Sequence, residues 1–123
     1  MKKRWIALAM VWTLMGGIAA CSSEQPIDLD AIEVKLATEP ETVSAGTPLQ
    51  LKVDVTGLTV TEDAMVTFDT RVDGEPKLFD LTHEGEGVFT GTYTFPEKGI
   101  QTVYLHFYLD DIHITEEKWI EVK

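Results

Sequence analysis

Val103-Tyr104-Leu105-His106-Phe107-Tyr108-Leu109-Asp110-Asp111-Ile112-His113-Ile114 alternates apolar residues with polar or amphipathic ones on both sides of an acidic pair. Alternation with a period of two is the mark of a strand with one face in a core, and two such runs joined by two residues read as a hairpin. Val103, Leu105, Phe107 and Leu109 then face inward with Ile112 and Ile114, while Tyr104, His106, Tyr108 and His113 face out. With Asp110-Asp111 as the turn, Phe107 opposes Ile114 and Leu109 opposes Ile112. His106 and His113 become diagonal neighbours on the outer face, with β-carbons roughly 7 Å apart or less.

The same period extends back to Ile32 and is interrupted about every ten residues. It predicts strands at 31–37, 49–55, 64–72, 76–83, 88–95, 101–109 and 112–122, with no amphipathic helix of useful length. Seven short strands with regular breaks indicate an all-β, immunoglobulin-like Greek-key sandwich, in which the third, sixth and seventh strands share a sheet. Inward positions are Leu49, Leu51, Val53 and Val55 on the second strand, and Ala64, Val66 and Phe68 on the third. Asp73-Gly74 suits a two-residue turn that sets Val66 against Leu81, Phe68 against Phe79 and His83 against Ala64, beside Met65. Continuing the last strand by parity would point Glu116 and Lys118 inward, so a bulge is expected near Glu116 or Glu117.

Ahead of this domain stands a different kind of segment. Lys2, Lys3 and Arg4 precede an apolar run from Trp5 to Ile18, too short for a comfortable membrane span, and Ile18-Ala19-Ala20-Cys21 resembles a bacterial lipobox. The resemblance implies cleavage before Cys21 and a diacylglycerol thioether on its sulfur. Acyl chains contribute about 0.8 kcal/mol per buried methylene, and two are enough for stable anchoring. The expected organisation is a signal peptide at 1–20, a lipidated tether at 21–31 containing Pro26, and one domain at 32–123. The chain would then sit on the extracytoplasmic face of the cell membrane.

Cys21 is the single cysteine, so no disulfide can form within the chain. Loss of residues 1–20 removes three positive charges and no negative ones, taking the net charge from −11 to −14. A surface of that sign disfavours nucleic acid and anionic headgroups as partners.

The loops at 56–63, 84–87 and 110–111 should gather at one end of a Greek-key sandwich. That would bring Met65, His83 and His113 to one rim, with His106 about one strand repeat deeper. Imidazoles with a thioether suit copper, and methionine favours its reduced state; zinc would need a fourth donor such as Asp110 or Asp111. The candidate set is therefore His83, His106 and His113, with Met65 as fourth ligand, for copper or zinc. Equally, each histidine can be an ordinary solvated strand residue, since no local ligand spacing is present.

At these residues the chain resembles a known family. His83-Glu84-Gly85, Gly87-Val88-Phe89, Phe95, Gly99, His106 and His113 seven residues on are similar to the YtkA-like (FixH-related) domain of small extracytoplasmic proteins and lipoproteins. The Val43–Pro48 turn and Ala64-Met65-Val66 fit the same pattern, which spans 32–122. The resemblance implies an immunoglobulin-like sandwich distantly related to membrane factors for assembly of copper-containing terminal oxidases. In the family pattern an arginine stands at Asp110, and methionine and proline stand at Thr115 and Glu116. Those departures remove a thioether and add carboxylates, which shifts weight toward zinc, oxidised copper or no metal.

A second reading makes the domain an adaptor. Tyr104, Tyr108 and, with the expected bulge, Trp119 would form an outward aromatic surface for an envelope protein partner. No enzyme is expected, because there is no nucleophile elbow, the thiol carries lipid and the carboxylates are scattered. Asp69 and Arg71 read as a solvated charge pair.

Overall fold

A computed structural model describes residues 27–123. The segments expected to be a signal peptide and most of the tether, with Cys21, lie outside the described residues. After a 3-10 turn at Leu29–Ala31 come β1 (Glu33–Glu39), β2 (Leu49–Thr56), β3 (Met65–Val72), β4 (Glu75–Asp80), β5 (Thr82–Gly85), β6 (Val88–Tyr93), β7 (Gly99–Leu109) and β8 (Ile112–Val122). They form two antiparallel four-stranded sheets, in the orders β1-β2-β6-β5 and β4-β3-β7-β8. This is an all-β sandwich with immunoglobulin-like connectivity. Among the described residues no helix is long and apolar enough to cross a membrane.

Both predicted hairpins form in the predicted register. Asp73 and Gly74 take φ of 51° and 78°, the left-handed values of a type I′ turn, and Phe68 pairs with Phe79. Asp110 takes φ of 50°, and Phe107 pairs with Ile114. The predicted inward residues of β2, β3 and β7 are buried, joined by Phe89, Phe95, Ile120 and Val122. Thr70 is the buried polar exception, and its hydroxyl donates to the Thr102 carbonyl at 3.1 Å.

Two expectations change. The strand predicted at 76–83 is two strands, which makes eight in place of seven. β4 pairs with β3 as far as Asp80, the Leu81 N–H donates to the Val66 carbonyl at 2.9 Å, and β5 then joins β6 in the opposite sheet. Leu81 is the buried crossing point.

The expected bulge near Glu116 is absent, since β7 and β8 pair without a break from Gly99–Val122 to Leu109–Ile112. Glu116 and Lys118 do point inward, but β8 is an edge strand. With Ile32–Lys35 they line a cleft of about 310 Å³ between the edges of β1 and β8, where half-buried charges still reach water. Inward charges of this kind keep a free strand edge from pairing with another chain.

The loop after β1 is tied to the end of β8. Val43 is buried and bridges Val122 in parallel, with Lys123 N–H donating to Val43 and Ala45 N–H to Lys123, each at 2.8 Å.

Candidate functional site

The outer face of the β4-β3-β7-β8 sheet is set by the registers of β3, β7 and β8. Tyr108 lies between Met65 and His113 in one cross-strand row, and the next row is Thr67, His106 and Thr115. Two of the three candidate histidines are therefore diagonal neighbours as expected, with ring centroids 5.9 Å apart.

Their nitrogens share a target. His106 Nδ1 is 3.0 Å from Thr115 Oγ1, and His113 Nε2 is 3.4 Å from the same oxygen. On its other side His106 Nε2 is 3.0 Å from Asp69 Oδ2, and both of those side chains are about four-fifths buried. Asp69 Oδ1 is buried with no hydrogen-bond partner among the described residues. The result is one hydrogen-bonded chain, Asp69–His106–Thr115–His113, in place of the Asp69–Arg71 pair expected from sequence.

His83 does not join it. Because the chain changes sheets at Leu81, His83 sits on β5 with its side chain between the sheets, stacked on buried Phe89 at a centroid distance of 4.4 Å. Its Nε2 is buried and has no hydrogen-bond partner among the described residues. The β3 backbone and its sheet stand between that ring and the outer face. Met65 is on the correct face and exposed, but Tyr108 separates it from His113. Asp110 and Asp111 occupy the hairpin turn, one residue row beyond His113.

Asp69 and Thr115 are the residues that sequence reading missed as partners. Thr115 was accessible, because the two-residue Asp110-Asp111 turn that makes His113 diagonal to His106 also sets Thr115 directly opposite it. Asp69 needs the β3–β7 register, which aligns it with Tyr104, one step along from His106. No local turn specifies that register.

Chemically the cluster offers two imidazole nitrogens, one hydroxyl and a carboxylate bonded to the far side of one ring. Among the described residues no group of three or more His, Cys, Asp or Glu side chains gathers at metal-binding distance. Any ion would thus be held by two imidazoles with coordination positions left open. Donor chemistry and geometry fit such an ion: both nitrogens face one point, and the half-unsatisfied Asp69 carboxylate favours added positive charge nearby. Carboxylate, imidazole and hydroxyl in this order also resemble a nucleophile relay. Thr115, however, is exposed on an open pleated face of an edge strand, without the strained turn that presents a catalytic hydroxyl.

The remainder of the face is unusually apolar. Met65, Leu78, Ile100, Tyr108 and Trp119 are exposed and all lie on it, with Ile100 and Trp119 exposing 73% and 68% of their surface. The outer face of the other sheet carries Lys35, Gln50, Lys52, Thr90 and Thr92 instead.

No protein-family model matches the chain, and no curated protein matches it. Among solved structures it is similar to the crystal structure of an engineered protein, with a TM-score of 0.57 at 19% sequence identity. The similarity covers 75% of this chain and 20% of that one, so this chain spans about a fifth of that protein's length. At this identity the likeness concerns the fold alone.

Proposed function

We propose that this chain is an extracytoplasmic binding protein, tethered by lipid on Cys21, that holds a transition metal ion on the outer face of β3, β7 and β8. The observation that carries this reading is the convergence of His106 Nδ1 and His113 Nε2 on the single hydroxyl of Thr115. Copper is favoured over zinc. A structural zinc site takes four protein donors, whereas copper(II) heads the affinity order at nitrogen sites and has two imidazoles here. The YtkA-like resemblance, with its distant link to copper oxidase assembly, supports the same choice. Open coordination positions suit a protein that passes its ion on, and no catalytic role is proposed.

The test is titration of the chain, purified in detergent with its lipid in place, with copper(I), copper(II) and zinc. One equivalent of copper should bind. Uptake should be lost in a His106→Ala, His113→Ala variant and kept in His83→Ala. Equal weak uptake by all three proteins would end the reading.

The apolar character of the same face favours a second reading, docking of a protein partner. Its occupant would have an apolar centre and a basic rim, because Asp69, Asp80, Glu117 and Glu121 on this face outnumber Arg71. Like charge argues against a second copy or an anionic membrane. A photo-crosslinking residue at position 119 should give one discrete adduct in cells, sensitive to salt, with none from position 50 on the opposite face. Equal adducts from both positions, or none, would remove this reading.

A further inference from the structure

The hydrogen bonds around His106 also assign its ring nitrogens. An ionised carboxylate only accepts, so the 3.0 Å bond between Asp69 Oδ2 and His106 Nε2 places the imidazole proton on Nε2. A neutral ring protonated there carries its lone pair on Nδ1, and that atom lies 3.0 Å from the Thr115 hydroxyl, which donates to it. Having given its one proton, the Thr115 oxygen faces His113 Nε2 at 3.4 Å as an acceptor.

We infer that Asp69 is a positioning residue: it locks His106 in the Nε2–H tautomer, makes Nδ1 the metal-binding atom, and reserves for the ion the place now taken by the Thr115 hydroxyl. This rests on the metal reading above and adds the binding atom, the residue that selects it and the group displaced. A carboxylate behind a ligating imidazole fixes ring orientation and raises its basicity. Here the carboxylate is held in turn by its position on β3, one residue row from His106, with both side chains mostly buried. Thr115 is exposed on β8, so its hydroxyl can turn to water when it yields its place. Among the described residues the hydrogen bond of His113 is made through Nε2, to Thr115, and none holds its Nδ1, so its tautomer can follow the ion.

The experiment uses the whole chain in detergent micelles, labelled with nitrogen-15 in its histidines. Ring-nitrogen shifts are read without metal and with copper(I), which is diamagnetic. Metal-free His106 should be the Nε2–H form, and copper(I) should move its Nδ1 resonance and leave Nε2 protonated. Asp69→Ala should give a mixture of tautomers and weaken copper(I) about 10–100-fold. Asp69→Asn, whose amide can donate from nitrogen as well as accept at oxygen, should no longer hold a single tautomer and should also weaken copper(I). Backbone amide spectra of both variants check that the fold is intact.

An Nδ1–H ring in the metal-free protein, coordination through Nε2, or unchanged affinity in a folded Asp69→Ala protein would overturn the inference. If the ring is Nε2–H but the wild-type chain takes up no copper, the metal reading fails together with the ligand assignment. The hold of Asp69 on the tautomer would still be visible in the spectra of the variants.

Discussion

His113 stacks on Tyr108, its direct cross-strand partner, with ring centroids 4.3 Å apart and planes 22° from parallel. The same phenol ring lies 6.4 Å from His106 at 21°, so it forms a common platform for both imidazoles. Stacked aromatic pairs contribute about 0.5–1.5 kcal/mol beyond simple burial. Removing the platform in Tyr108→Ala should weaken copper binding by up to about tenfold, because His113 must then be ordered by the ion itself. Tyr108→Phe keeps the ring and should bind within about twofold of the parent. Parallel titrations of the three proteins check this.

The inward charges on β8 lead to a prediction about solubility rather than stability. A Glu116→Val, Lys118→Val variant should melt no lower than the parent, since the half-buried cleft beside β1 accepts apolar groups. It should also self-associate as concentration rises, because the free edge has lost its guard. Size-exclusion chromatography with light scattering would show the shift, and a strictly monomeric variant would refute it.

Gly57 has φ of 92°, and a β-carbon there would collide with the Ala31 carbonyl oxygen, a backbone atom that cannot swing aside. Gly74, at φ of 78° in the β3–β4 turn, has open space around it. Gly74→Ala should therefore cost only the conformational strain of a left-handed residue, on the order of 1 kcal/mol. Gly57→Ala should cost clearly more and also loosen the turn before β1. Urea unfolding of both variants gives the comparison.

Tyr93 contributes a pH dependence on the alkaline side. Its ring packs against Phe68, Phe79 and Phe95, and burial raises its phenol above the ordinary value of 10.0. A raised folded-state value means that the unfolded chain loses this proton first. The associated stability is complete below about pH 10 and declines as pH rises through the folded-state value. Melting temperature should fall as pH rises above the ordinary phenol value of 10.0 toward the raised folded-state value, and should fall less in Tyr93→Phe. Equal losses in both proteins would assign the alkaline instability to other groups.

The hairpins were legible because a two-residue turn fixes register locally. Asp73-Gly74 and Asp110-Asp111 specify every pair in their ladders, including the His106–His113 diagonal. The crossing at Leu81 was not legible, for a geometric reason. Both sheets face the same core, so a chain passing from one to the other keeps its inward parity. Phe79, Leu81 and His83 all turn inward whether they belong to one strand or to two. Alternation therefore places His83 inward in either case and could not report its sheet. Asp69 was hidden by a related limit, since its bond to His106 depends on a register between strands 37 positions apart in sequence.

β1 begins at Glu33, paired with Thr56, at the end of the sandwich that also holds the 56–63 loop and the Asp110-Asp111 turn. The row containing His113, Tyr108 and Met65 lies at that same end. If Cys21 carries a lipid, the twelve residues from there to Glu33 span at most about 40 Å. Such a leash would join the sandwich at its histidine-bearing end, opposite the 73–74 turn.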